Sequence, residues 1–180
     1  MIFTETSLAG AFIIDIQKLE DPRGFFSRTF CQKEFVEQGL NTRVAQCNVS
    51  YNRRKGTWRG MHLQISPFQE AKLVQCSSGA IYDVMLDLRP KSVTYMKHLG
   101  VTLRAQDYKM LYIPEGFAHG FLTLTNHVNV LYQMSEFYAP EYARGFRWND
   151  PAFGITLPEE VMVISDRDAN YPAFSLDTLR

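Results

Sequence analysis

The chain has 180 residues, with 19 basic and 19 acidic side chains evenly mixed along it. That length holds one domain, residues 1–180, able to bury a core without metal or disulfide staples. The balanced charge excludes a nucleic-acid surface, and no apolar run approaches the roughly 18 residues of a membrane span.

The N-terminal residues lack the basic, apolar and small-residue order of a secretory leader. Ala11 to Ile16 is apolar and β-branched and reads as a strand, after which Asp21-Pro22-Arg23-Gly24 turns the chain into the extended run Phe25 to Phe30. One helix is predicted next. Thr29 and Gln32 have the spacing of a capping box, Phe35 and Val36 supply an apolar side, and Gly39 ends it. Val44 to Tyr51 is extended and carries Gln46, Asn48 and Ser50 on one face. Cys31, Cys47 and Cys76 form no CxxC pair and leave an odd thiol, which points to a reducing cytoplasm.

Gly56 to Arg89 holds three extended segments that carry Arg59, His62, Gln64, Lys72 and Asp83, a base, cations and a carboxylate within reach of one β-sheet. Lys72, Val74 and Cys76 fall on one face of the second segment, and Ile81, Asp83, Met85 and Asp87 on one face of the third, with Ser77-Ser78-Gly79 as the turn between them. A Lys and an Asp standing where a core takes Val or Leu break the pattern, and such breaks mark functional sites. Further strands follow at Lys97 to Leu103, Lys109 to Ile113, Ala118 to Leu124 and Val128 to Tyr138, with Pro114-Glu115-Gly116 as a turn. Many short strands with a single small helix predict an all-β sandwich or barrel.

The motifs in this frame resemble the dTDP-4-dehydrorhamnose 3,5-epimerase family of cupins through almost the whole chain. They are Asp21-x-Arg23-Gly24-x-Phe26, Gln46-x-Asn48-x-Ser50, Arg59-Gly60-x-His62-x-Gln64, Lys72-Leu73-Val74, Asp83-Val84-x-x-Asp87-x-Arg89, Ile113-Pro114-x-Gly116-Phe117-Ala118-His119-Gly120-Phe121, Tyr132, Tyr138, Trp148-Asn149-Asp150-Pro151 and Ser165-x-x-Asp168. The resemblance implies a jelly-roll β-barrel or sandwich with one or two short helices, a homodimer, no metal or other cofactor, and a nucleotide-sugar substrate with a 4-keto group. It also implies roles. His62 is the base, Asp168 its partner, Lys72 the cation facing the C4 oxygen, and Tyr132 the acid on the opposite side. Arg23 and Arg59 bind the diphosphate with Gln46 and Asn48, Arg23 reaching across the dimer, while Phe26 and Tyr138 flank the base. Arg28 stands where many members carry a Glu near the base, which makes cytidine a rival to thymidine. Asp83 is expected in a supporting role, holding Lys72 or a sugar hydroxyl.

The chemistry suits these residue types. Inverting a carbon next to a ketone means removing its proton, holding the enolate and returning a proton from the other face. An imidazole titrates near neutral pH and serves as such a base with little tuning. Each residue also has a plainer reading. A lone His in a β protein is more often a satisfied packing residue, Tyr132 suits a core, and Phe26 borders the sheet equally well as packing. His119 with His62 imitates the two-histidine pattern of metal cupins, but Gln64 stands two places after His62 where they present a second His. No metal is therefore expected, and His119 is read as structural or as a hydrogen-bonding group of the pocket. Three functions stay open: an epimerase acting at C3, C5 or both of an NDP-4-keto-6-deoxyhexose, a catalytically silent cupin binding sugar nucleotides, and a metal-dependent cupin oxygenase.

Overall fold

The computed structural model describes residues 1–179. In chain order the strands are β1 (Ile2–Glu5), β2 (Phe12–Asp15), β3 (Leu19–Asp21), β4 (Gly24–Phe26), β5 (Gln46–Asn52), β6 (Trp58–Gln64), β7 (Lys72–Ser78), β8 (Ala80–Asp87), β9 (His98–Arg104), β10 (Met110–Ile113), β11 (Phe117–Thr123), β12 (Val128–Met134) and β13 (Ala143–Gly145). Two short α-helices, α1 (Gln32–Glu37) and α2 (Asp166–Ala169), complete the frame. All strand pairs within the sheets are antiparallel. One sheet runs β1-β2-β10-β7-β12-β5, the other β13-β6-β11-β8-β9, and β3 with β4 forms a separate hairpin. These are two open sheets face to face, the sandwich form of the expected all-β jelly roll, and not a closed barrel.

The core follows from alternation. Val74, Cys76, Leu111, Ile113 and Val130 of the first sheet meet Ile81, Met85, Leu103, Phe117 and Phe121 of the second. The outer face of the second sheet is buried too. Trp58, Val84, Leu86 and Leu122 pack under Phe146, Phe153 and Ile155 from the C-terminal segment. Through that double burial every residue of β8 except Tyr82 is buried, Asp83 and Asp87 included. On the outside of the first sheet, Ile14, Leu73, Met110 and Tyr112 are covered by Phe35 of α1.

Three local expectations need correction. The capping box fails: Cys31 occupies the N-cap without a side-chain bond, Val36 is 60% exposed, and only Phe35 anchors the helix. Gly39 does end it, at φ +69, where a Cβ is disfavoured. Next, β6, β7 and β8 do not share a sheet. Gly79, at φ +78, does not close a hairpin but sends the chain from the first sheet to the second. Finally, β12 stops at Met134: Ser135 still donates its backbone N–H to the Ala71 carbonyl, but its side-chain oxygen stands in for its own carbonyl and accepts the Ala71 N–H.

Candidate active site

A cavity of about 560 Å³ opens where the two sheets face each other. From the first sheet it is lined by Gln46, Asn48 and Ser50 of β5, Lys72 of β7 and Tyr132 of β12. From the second come Arg59 and His62 of β6 and His119 and Phe121 of β11, and Tyr138 and Arg167 add to the wall. Strand register accounts for the gathering. Tyr132 sits opposite Asn48, Met134 lies between Gln46 and Lys72, and His62 sits opposite His119. The predicted base, cation and tyrosine are thus brought together, but from facing sheets.

His62 Nε2 lies 2.7 Å from Asp168 Oδ1, and the other carboxylate oxygen accepts the Gly60 N–H at 3.1 Å. With the carboxylate ionised, Nε2 donates, and Nδ1 is the ring nitrogen without a protein partner among the described residues. Asp168 reaches this position because the Ser165 side chain caps α2, accepting the Asp168 N–H at 3.1 Å. The start of β6 also pairs with the C-terminal segment, Trp58 N–H donating to the Val163 carbonyl. Burial alone raises the Asp168 carboxyl, but His62, the Gly60 N–H and Ser165 outweigh it and hold the group below the usual carboxylate range. Gly60 has φ +126, and a Cβ there would lie 2.5 Å from the Gly120 Cα and 2.7 Å from the His119 carbonyl oxygen. This close approach, at the register shift between His119 and Phe121, is open only to glycine.

Lys72 is buried, and its Nζ lies 3.1 Å from Glu70 Oε1 and donates to the His62 carbonyl at 3.0 Å. The Tyr132 hydroxyl has no protein hydrogen-bond partner among the described residues, while its ring meets His119 edge-on at 6.1 Å and Phe121 at 6.4 Å. Burial pushes its phenol well up, the Asp83 carboxylate adds to this, and Arg59 opposes it. Asp83, fully buried, faces His119 Nε2 at 2.9 and 3.0 Å. The expectation that Asp83 holds Lys72 or a sugar hydroxyl is therefore corrected: it stands in the other sheet from Lys72, whose partner is Glu70, and both its oxygens face His119. His119 is a hydrogen-bonded group of the pocket wall, as read.

Around these groups Arg59 Nε donates to Asn52 Oδ1 at 2.7 Å, and Gln46 Oε1 accepts the Tyr138 N–H at 2.7 Å. Gln64 is fully occupied. It accepts the Ala139 N–H at 2.6 Å and donates to the Phe68 and Phe137 carbonyls, so it fastens the segment that carries Tyr138. Arg23, Phe26 and Arg28 do not line the cavity of their own chain. They belong to the β3–β4 hairpin and its exit, where Arg23 is held by Asp21 at 2.6 Å, Phe26 is 70% exposed and Arg28 pairs with Glu34 at 2.9 Å. Sequence reading missed Glu70, Glu136, Arg144 and Arg167, all of which line the cavity. For Glu70 a signal existed, because it precedes Lys72 by two on one face of an extended segment. Among the described residues no three His, Cys, Asp or Glu side chains are grouped to hold a metal ion.

Residues 5–175 match the family model described as dTDP-4-dehydrorhamnose 3,5-epimerase. The chain is 44% identical over 172 residues to the dTDP-4-dehydrorhamnose 3,5-epimerase of Methanothermobacter thermautotrophicus, covering 94% of this chain and 92% of that one. The crystal structure of the same enzyme from Elizabethkingia anophelis superposes with a TM-score of 0.92 at 38% identity, over 97% of this chain and 96% of that one. The Bacillus anthracis enzyme, solved with TDP and pyrophosphate bound, gives 0.91 at 37% identity, over 96% and 99% of the two chains.

Proposed function

The chain belongs to the dTDP-4-dehydrorhamnose 3,5-epimerase family, and from that premise we propose that it is a sugar-nucleotide epimerase that inverts C3 and C5 of a dTDP-4-keto-6-deoxyhexose in this cavity. His62 Nδ1 takes the proton next to the ketone. Asp168 accepts the Nε2–H and stabilises the imidazolium that forms. The enolate oxygen at C4 is met by Lys72, a fixed charge of the kind whose removal raises a barrier by about 2.7–4 kcal/mol. Tyr132, on the facing sheet, returns a proton from the other side. The raised phenol suits an acid that must keep its proton until the carbanion demands it. Asp83 accepts the Nε2–H of His119 and orients its ring, leaving Nδ1 to accept from a sugar hydroxyl.

Arg59, Gln46 and Asn48 bind the diphosphate, with Arg167 beside them, and the guanidinium fork matches phosphate oxygens two at a time. Arg23, Phe26 and Arg28 serve a second copy of the chain. Their exposure on a hairpin away from the chain's own cavity supports a homodimer in which each hairpin completes the partner's nucleotide site. The setting is a reducing cytoplasm, in keeping with three unpaired thiols.

The observation that carries this reading is one cavity lined by His62, which is paired behind it with Asp168 at 2.7 Å, and, from the opposite sheet, by Tyr132, whose hydroxyl has no partner among the described residues. Incubation with dTDP-4-keto-6-deoxyglucose in D₂O tests it by NMR. Two deuterons, at C3 and C5, are expected. A single deuteron restricts the enzyme to one carbon, and no exchange overturns the proposal in favour of a binding module.

A further inference from the structure

Lys72 needs an explanation for how a flexible four-carbon stem keeps its ammonium at one point. Its side chain is 6% exposed and that of Glu70 4%, so the pair is walled in and neither partner is a loose surface ion. An ammonium has three N–H bonds. The His62 carbonyl, at 3.0 Å, takes one, and Glu70 Oε1, at 3.1 Å, is the ammonium's ion-pair partner. Held between these two groups, the ammonium turns its remaining face to the cavity that Lys72 lines.

Stability does not account for Glu70. A buried ion pair is at best a small net contributor, and an apolar pair of similar volume often serves as well. Glu70 is poorer than that, because its Oε2 is buried with no hydrogen-bond partner among the described residues. A buried acceptor left bare is a cost the fold could have avoided with an apolar side chain such as Met. What Glu70 gives in return is direction. Residues 70 and 72 share one face of an extended chain, so the carboxylate reaches the ammonium from along the strand, while the His62 carbonyl reaches it from the facing sheet.

We infer that Glu70 is a positioning residue of the epimerisation: its carboxylate, as ion-pair partner, and the His62 carbonyl, as hydrogen-bond acceptor, fix the Lys72 ammonium so that an N–H is aimed at the C4 oxygen. The inference rests on the proton-transfer reading of the cavity. It carries a distinct signature. The enolates formed on either side of the ketone share the C4 oxygen, so a mis-aimed Lys72 slows exchange at C3 and at C5 by the same factor. A residue touching one hydroxyl would slow one carbon more than the other. Substrate binding through the nucleotide is remote from the change.

A mutant cycle read by deuterium uptake tests this. Glu70→Gln should lower kcat for exchange roughly ten- to a hundredfold, the worth of one charge-assisted hydrogen bond, equally at both carbons and with KM nearly unchanged. Lys72→Met should lower it about 10²- to 10³-fold. The double variant should match Lys72→Met alone, because Glu70 has nothing left to aim. If Glu70→Gln costs the same factor with Lys72 present or absent, or acts on one carbon only, the inference is wrong. Should Glu70→Gln melt too low to assay, Glu70→Asp keeps the charge, pulls it back by one methylene, and carries the same cycle. Wild-type protein that exchanges neither carbon would sink the epimerase reading itself, which separates the two failures.

Discussion

Asp168→Asn changes one atom and removes one charge, and the site geometry fixes the consequence. The carboxylate now serves two donors, the His62 Nε2–H at 2.7 Å and the Gly60 N–H at 3.1 Å. An amide cannot serve both. If its oxygen stays with Gly60, its NH₂ faces Nε2, which must then accept, and the ring proton moves to Nδ1. The base then has no lone pair toward the substrate. If the amide flips, the Gly60 N–H confronts another donor, at about 1–3 kcal/mol for an unpaired buried group. The imidazolium is also left with a neutral acceptor, about half as effective as a charged one. The Gly60 contact favours the first arrangement, so deuterium uptake at pH 7 should fall by about 10²- to 10⁴-fold, the full worth of a general base. Affinity for dTDP, measured by calorimetry, should hold. A pH series adds a second reading. Because the folded carboxyl lies below its unfolded value, its stabilisation is present above the ordinary carboxylate range and is lost as pH falls through the folded value. The stability gap between wild type and Asp168→Asn should therefore shrink on acidification. Uptake within threefold of wild type at pH 7 would refute the assignment of Asp168 as the group that fixes the His62 tautomer.

Gly60→Ala should destabilise the fold by at least about 2 kcal/mol in urea denaturation, since its Cβ has no room beside Gly120 and its φ is +126; a wild-type midpoint would mean that the β6–β11 contact yields. Tyr132→Phe should keep part of the exchange through His62 while inversion falls sharply. Wild type and this variant should also show the same tyrosinate absorbance up to about pH 11, and a tyrosinate lost from the variant below that pH contradicts the raised phenol. Arg23→Ala should weaken substrate binding, and mixing it with inactive His62→Asn should restore activity in mixed dimers with one intact pocket; no recovery between chains proven to exchange means the pocket is not shared. CDP-4-keto-6-deoxyglucose should compete within about a hundredfold of the dTDP form (about 2.7 kcal/mol). A larger preference, unchanged in Arg28→Glu, would show that the pair with Glu34 keeps Arg28 from reading the base.

The strands were legible because alternation survives wherever one face is buried. Lys72 and Asp83 stood out in the sequence as charges on inward faces, and both are inward. Their partners were less accessible to reading. A turn of Ser77, Ser78 and Gly79 looks the same whether it closes a hairpin or carries the chain to the opposite sheet, and only packing of the whole core decides between them. Asp168 lies 106 residues from His62, and no periodicity joins them; the motif resemblance supplied the pair. The helix start was misread at Thr29 because α1 is held by the burial of Phe35 against Phe3, Phe30 and Tyr112, with no cap bond to find. Glu70 was overlooked although its spacing to Lys72 was readable, since an acidic residue before a strand suggests solvent until its burial is known.

The core between the sheets also acts as a ruler. His62 and Tyr132 belong to different sheets, so the distance available to a sugar ring between them is set by the side chains that keep those sheets apart, Met85 and Ile81 against Val74 and Val130. Close-packed interiors do not stretch smoothly, and a methylene added or removed there moves one wall of the cavity against the other. Proton transfer tolerates little error in reach. Substitutions in this layer should therefore detune the reaction while the protein is still fully folded, and the sizes of buried residues that never meet the sugar become part of what decides which sugar fits.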